Sequence, residues 1–227
     1  MMSPDQCPQA RSFSGTVTPD VSEQRQALIR SLNRVFGLKC LPPDCHADAD
    51  FLNDLTPLFQ ERNVDAETAL EKHERPWANV YLVRHGVVRL FRESFAGKIA
   101  IHHFFAEGDL IWPVFGRSRT VRNTLCLTTT TPCTLWVADF KTFRSVVSAQ
   151  DEGRWARFAL LLTEELAETS TMREFHRTTM SAPERYQVLR NDYPELLHRV
   201  PDFQLAAWLG VVPATFSRLK HLKSEPD

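Results

Sequence analysis

The sequence predicts an α+β chain: an antiparallel β unit, one long helix and a C-terminal helix-turn-helix. Three observations predict it. Between Trp77 and Phe143 the apolar residues fall in short runs broken by Gly86, Gly97 and Gly108, the texture of a compact sandwich or barrel. From Arg154 to Met180 glycine and proline all but vanish, and Trp155, Phe158, Leu161, Leu162, Leu166 and Met172 form an apolar stripe. That helix is far longer than the globular average of about 12 residues. The third observation is the segment from Gln204 to Lys220, whose small and apolar residues are spaced as two crossing helices require.

Composition narrows the function classes. With 43% hydrophobic and 24% charged residues the 227-residue chain is not a disordered one, and its length allows one large domain or two modest ones. A net charge of −1 excludes a uniformly basic nucleic-acid coat but leaves room for a local basic face. The longest uncharged run, Asn123 to Ala138, is threonine-rich and does not read as a membrane span, and the opening MMSPDQCPQA lacks a basic start followed by an apolar block. Five cysteines (Cys7, Cys40, Cys45, Cys126, Cys133) form no paired framework, as expected in a reducing compartment. The chain therefore reads as a cytoplasmic globular protein without a membrane partner.

Residues 1–45 read as an N-terminal extension, partly disordered, with one helix near 22–37 where Ala27, Leu28, Leu32, Val35 and Phe36 recur before Gly37. A further helical stretch, Phe51 to Phe59, leads into the β unit, which spans 46–150. The long helix occupies 151–180. The rest, 181–227, reads as short helices punctuated by Pro183, Pro194, Pro201 and Gly210.

Within that last unit, Ala206 lets two helices cross closely and Gly210 supplies the turn. Leu205, Leu209, Val211, Phe216 and Leu219 take the inward positions. Pro213 suits the first position of the second helix, where its missing N–H would have no partner anyway. Thr215, Ser217, Arg218 and Lys220 are then free to meet a phosphate backbone or a major groove. From Pro213 to Lys223 there are three basic residues and no acid, a narrow basic face.

Here the chain, from about Asp50 to Lys223, resembles the bacterial cyclic-AMP receptor protein / fumarate-nitrate regulator (Crp/Fnr) family of transcription factors. Val80-Tyr81-Leu82-Val83 followed by Gly86-Val87-Val88-Arg89-Leu90 is similar to the family's first β-roll hairpin. Phe104 to Leu110 is similar to the strand and turn that open the effector cassette. Pro183-Glu184-Arg185-Tyr186, Pro194 to Leu197, Arg199-Val200-Pro201 and Leu209-Gly210-Val211 look like the family's C-terminal domain. The resemblance implies a cyclic-nucleotide-binding-like β-roll sensor, a dimerisation helix and a winged-helix-like helix-turn-helix domain. It implies double-stranded DNA, a second copy of the chain and RNA polymerase as partners, with Trp155, Phe158, Leu162 and Leu166 at the dimer interface.

The sensor departs from the cyclic-AMP-binding pattern of Gly-Glu followed by Arg-Ser or Arg-Thr. Gly108-Asp109 stands for the first pair and Arg119-Thr120 lies at the family offset, yet counting back from Cys133 places Asn123-Thr124 there, with Arg122 adjacent. The shorter Asp109 stops short of a ribose. Asp109, Arg119, Thr120 and Arg122 are the effector candidates. Arg117, Arg119 and Arg122 suit either an anion or plain solvated surface. Cyclic AMP is not the expected effector, and a small molecule of unknown identity takes its place. No cofactor or metal is implied: the cysteines lack the clustered spacing of an iron–sulfur site. One of His102 and His103 faces inward as a core residue, while Cys126 and Cys133 read as small buried hydrophobes.

The second helix also departs: where many members carry an Arg-Glu pair and a following Arg, this chain has Pro213, Ala214 and Arg218. Arg218 either reads guanine or clamps phosphate. The expected function is a dimeric DNA-binding regulator. The alternative is a signalling module whose roll binds an anion or a partner with vestigial DNA contact. No nucleophile–base spacing, Walker sequence, HExxH or GxGxxG supports an enzyme.

Overall fold

Most apolar runs between Trp77 and Val137 become strands that are buried on both sides, because each sheet of the β unit is covered twice. The structure is a computed structural model and describes residues 21–38, 46–72, 76–94, 96–113, 125–149 and 151–221. Two helices, α1 (Val21–Phe36) and α2 (His46–Leu55), and a 3-10 turn (Thr56–Leu58) precede the strands. These are β1 (Gln60–Val64), β2 (Ala69–Glu71), β3 (Asn79–His85), β4 (Val88–Glu93), β5 (Ile99–Phe105), β6 (Leu110–Ile111), β7 (Leu125–Thr129) and β8 (Cys133–Asp139). Then come α3 (Phe140–Ala149), the long α4 (Glu152–Thr179), α5 (Ala182–Asp192), α6 (Pro194–Arg199), α7 (Asp202–Leu209) and α8 (Pro213–His221). Among the described residues no helix is long and apolar enough to cross a membrane.

The strands form two antiparallel four-stranded sheets, ordered β1-β8-β3-β6 and β2-β7-β4-β5. Leu82 lies opposite Trp136 in the first, and Leu90 opposite Leu127 in the second. Between the sheets sit Tyr81, Val83, Val88, Leu90, Phe105, Leu127, Leu135 and Val137. β7 is buried at every position. Strands covered on both faces read as continuous apolar runs rather than alternations, which is why no clean period of two marks them in the sequence.

Each outer face has its own cover. Val80, Leu82, Trp136 and Ala138, on the far side of the first sheet, pack with α1, α2, α3 and the start of α4. Aromatic rings fill that core: Phe36 stacks on Phe158 at 4.8 Å and meets Phe51 edge-on at 5.0 Å. Helix α1, assigned to the extension by sequence, is thus part of a core, with Leu32 fully buried. On the far side of the second sheet, Val87, Phe91, Ile101, Phe104 and Cys126 pack against the C-terminal helices. α4 runs past both units. It starts at Asp151, whose carboxylate accepts the Gly153 N–H at 2.8 Å, and ends where Ser181 and Glu184 form the capping box of α5. Among the described residues the C-terminal unit is four helices and no strand.

Two placements bear on sequence expectations. Residues 1–20, Cys40, Cys45 and residues 117–123 lie outside the described residues. Cys126 and Cys133 are buried, as expected, and burial raises the Cys133 thiol.

Gly86 links β3 to β4 with φ +107, and a Cβ there would sit 2.5 Å from Cys133 Sγ and 2.7 Å from the Pro132 carbonyl oxygen. Gly97, at φ +73, has open space, with nothing nearer than Glu93 Oε1 at 3.8 Å. Gly97→Ala should therefore cost about 1 kcal/mol from the left-handed backbone alone, and Gly86→Ala more than about 2 kcal/mol. Urea midpoints of the two variants measure this; equal losses would contradict the packing described for Gly86.

Candidate nucleic-acid interface

Helices α7 and α8 are held by the turn between them. Gly210 caps α7 in the left-handed region (φ 70°, ψ 35°), and the Val211 N–H returns to the Ala206 carbonyl at 2.9 Å. Ala206 is fully buried where the helices cross. Phe216 and Leu219 lie inward on α8, and Phe216 meets Tyr186 of α5 edge-on at 5.7 Å. The 3.6-residue period then turns Pro213, Ala214, Ser217, Arg218 and His221 outward, all of them exposed.

Of the four residues expected at DNA, Ser217 and Arg218 lie on this open face. Thr215 is half-buried on one flank. Lys220, on the other flank, has its ammonium 2.9 and 3.0 Å from the two Asp202 carboxylate oxygens. That pair fastens α8 to the start of α7, so Lys220 must share its charge between Asp202 and any phosphate.

The interhelical unit docks on the second sheet through Trp208. Its ring meets Phe104 at 5.8 Å and Tyr193 at 5.2 Å, with the Arg173 guanidinium 5.3 Å above it. Arg173 also donates to the Ile101 carbonyl at 2.8 Å. Two polar straps flank this contact. In one, Gln204, 2% exposed, donates to Glu67 at 3.0 Å and accepts from Thr130 at 3.2 Å. Glu67 in turn receives both arms of Arg89 at 2.7 and 2.6 Å. In the other, Arg199 of α6 gives both arms to Glu107 at 2.8 and 2.6 Å, while the Gly86 N–H donates to the same carboxylate at 2.9 Å. Sequence reasoning missed these straps. Polar partners 137 and 92 positions apart leave no local signal.

Glu107 and Asp109 share the turn 106–109 between β5 and β6. The Asp109 carboxylate accepts the Ala106 N–H at 2.8 Å and lines a cleft of about 240 Å³ between α1, this turn and α4. Burial, with the nearby Glu165 and Glu107 charges, raises it to about 6. Its cleft neighbours include Arg34, His103, Glu165 and Thr169. His103, half-buried beside Phe105, is pushed down to about 4 by burial and the Arg173 charge, so it is neutral at pH 7; His102 turns to solvent. Arg119, Thr120 and Arg122 lie outside the described residues, so Asp109 is the one effector candidate the structure places. Between the sheets, Trp77, Phe105, Trp112 and Leu166 border a void of only about 10 Å³, room for one water at most.

The α4 residues expected at a dimer interface also make contacts within the chain, which leave Trp155, Leu162 and Leu166 half-buried. Phe158 is 3% exposed in the first core, Trp155 and Leu162 pack against that core, and Leu166 packs against the space between the sheets. The apolar side chains that α4 leaves in water are Leu160, Leu161, Met172 and Phe175, 49–60% exposed. The run Leu160-Leu161-Leu162 carries the signal: no single stripe accommodates three consecutive leucines, so two faces of α4 are apolar.

No protein-family model matches the chain, and no curated protein matches it in sequence. Solved structures do. The c-di-GMP-responsive global regulator CLP of Xanthomonas campestris is similar with a TM-score of 0.63 at 15% identity, over 78% of this chain and 92% of that one. FixK2 of Bradyrhizobium japonicum has a TM-score of 0.60 at 17% identity, over 72% and 83%. A candidate transcriptional regulator of the Crp/Fnr family from Eubacterium rectale has 0.60 at 12%, over 76% and 81%. At these identities the likeness is one of fold.

The Glu107 strap has a pH signature. Burial alone would raise that carboxyl, but the Arg199 and Gly86 hydrogen bonds outweigh it and hold it at about 2, against an ordinary value of 4.5. A lowered acid stabilises the fold above its unfolded value and loses that contribution as pH falls from about 4.5 through about 2. The urea midpoint of wild type should exceed that of Glu107→Gln at pH 6, and the gap should close toward pH 2. A gap that stays constant would contradict a charged strap.

Proposed function

We propose that this chain, which has the fold of the Crp/Fnr regulators, is a dimeric transcription regulator that binds double-stranded DNA through α8 in the cytoplasm. The observation that carries the reading is the outward face of α8. Ser217 and Arg218 stand in solvent on a helix whose other side is fixed by Phe216 and Leu219, the arrangement of a recognition helix. Among the described residues, Ser217 and Arg218 make no contact that holds the fold together. The local charge agrees, with Arg218, Lys220 and Lys223 and no acid from Pro213 onward to Lys223.

Dimerisation is supported by the outer side of α4. Leu161, Met172 and Phe175 recur there along one long helix, and exposed apolar rows on such a helix are covered by a second copy. Two copies related by a two-fold axis would offer two α8 helices to successive major grooves. The sensor role is supported by the turn 106–109. Its Asp109 faces the α1–α4 cleft and its Glu107 holds Arg199 of the C-terminal unit, so a ligand that shifts the turn acts on the DNA-binding helices directly. The shorter Asp109 in place of the family's glutamate supports an effector other than cyclic AMP. RNA polymerase is the partner such a regulator would serve.

Electrophoretic shifts with genomic fragments over a salt series test the reading. Tight binding that weakens steeply as salt rises is expected, and salt-independent or absent binding would overturn it. Leu161→Glu with Phe175→Glu should give monomers by sedimentation and weaken DNA binding at least tenfold; a dimer that survives both changes would remove this face of α4 from the interface. Arg218→Ala should cost about 1–3 kcal/mol on the selected site and relax one position per half-site if the guanidinium reads guanine. A phosphate contact predicts an unchanged motif and a salt slope smaller by about one per subunit.

A further inference from the structure

The first turn of α8 and the residue before it offer no outward hydrogen-bonding side chain. Val212 is 63% exposed, Pro213 and Ala214 are exposed, and Thr215 is half-buried on the flank. The first outward polar side chains, Ser217 and Arg218, come a full helical turn later. The Val212 position is firmly set, because its carbonyl accepts the Thr215 and Phe216 N–H groups at 2.9 and 3.1 Å while neighbouring Val211 packs against the C-terminal core. A β-branched apolar side chain is therefore held in water, at the end of the helix that enters a major groove first.

The floor of the major groove presents donors, acceptors and one apolar group, the C5 methyl of thymine. Any other base edge set against Val212 and Ala214 would lose its water without gaining a hydrogen bond. We propose that Val212 and Ala214 read thymine methyl groups, so that each half-site carries thymine where the start of α8 meets the base pairs. The inference rests on the regulator reading above and names what the recognition helix selects. Ser217 and Arg218 then act deeper along the same face, on guanine or phosphate.

The test uses the full-length protein and DNA in which selected thymines are replaced by uracil, which keeps the O4 acceptor and lacks only the methyl. Binding-site selection first identifies the preferred site. Uracil at the thymine under α8 should weaken binding about fourfold, the worth of one buried methyl, with the salt slope unchanged. Val212→Ser, a change on the surface, should bind the thymine and uracil sites with nearly equal affinity. Equal binding of both sites by wild type, or a selected motif without thymine in that part of the half-site, overturns the inference and leaves the regulator reading intact. Absence of salt-sensitive binding to any fragment overturns the regulator reading itself.

Discussion

The central strands of both sheets are apolar on both faces, so each outer face must be covered, and the identity of the cover decides where every functional element sits. One cover comes from the N-terminal helices together with α3 and the first half of α4. The other is the DNA-binding candidate itself. Phe104 and Ile101 on one side and Trp208, Leu205 and Leu209 on the other form a single apolar cluster, so the C-terminal helices fold onto the β unit rather than beside it. At about 25 cal/mol per Å², a cluster of that size is a main source of the stability that fixes α7 and hence α8.

An apolar contact alone would hold the two units together without setting their angle. The straps supply direction: on one side of Trp208 the bidentate, planar Arg199–Glu107 pair joins the units, and on the other Gln204 reaches Glu67, which both arms of Arg89 hold in place. One of them ends on the same turn as Asp109. A single residue, Gly108, therefore separates a carboxylate that faces an open cleft from one that grips the C-terminal unit. Such a short rigid connection is what a sensor needs, since small displacements at packed interfaces pass on without being absorbed.

Much of this was legible in the sequence, for local reasons. Gly210 and Ala206 have one structural use at that spacing, and Phe216 and Leu219 recur at a helical period, so the helix-turn-helix is encoded within a few residues of itself. The glycine-free stretch from Arg154 to Met180 marks α4 just as directly. The side on which α4 meets its neighbours was not legible, because two apolar faces on one helix cannot be ranked without the sheet that covers one of them. Trp155 and Phe158 proved to be the covered face. Nor could periodicity foresee that α1 joins the first core, or that Glu107 pairs with Arg199, since tertiary pairings between distant charges leave no pattern in the chain. Asp109 was found from its motif, yet its cleft partners Arg34 and Glu165 come from helices that no motif connects to it.

The central claim is that paired copies of α8 sit in successive major grooves of one DNA duplex. Hydroxyl-radical footprinting of a selected fragment, paired with guanine-N7 methylation interference, reports this directly. The account predicts two protected patches related by two-fold symmetry, with major-groove interference centred about 10–10.5 base pairs apart or at a multiple of that spacing. Protection of a single patch, or backbone protection without any major-groove interference, would contradict it.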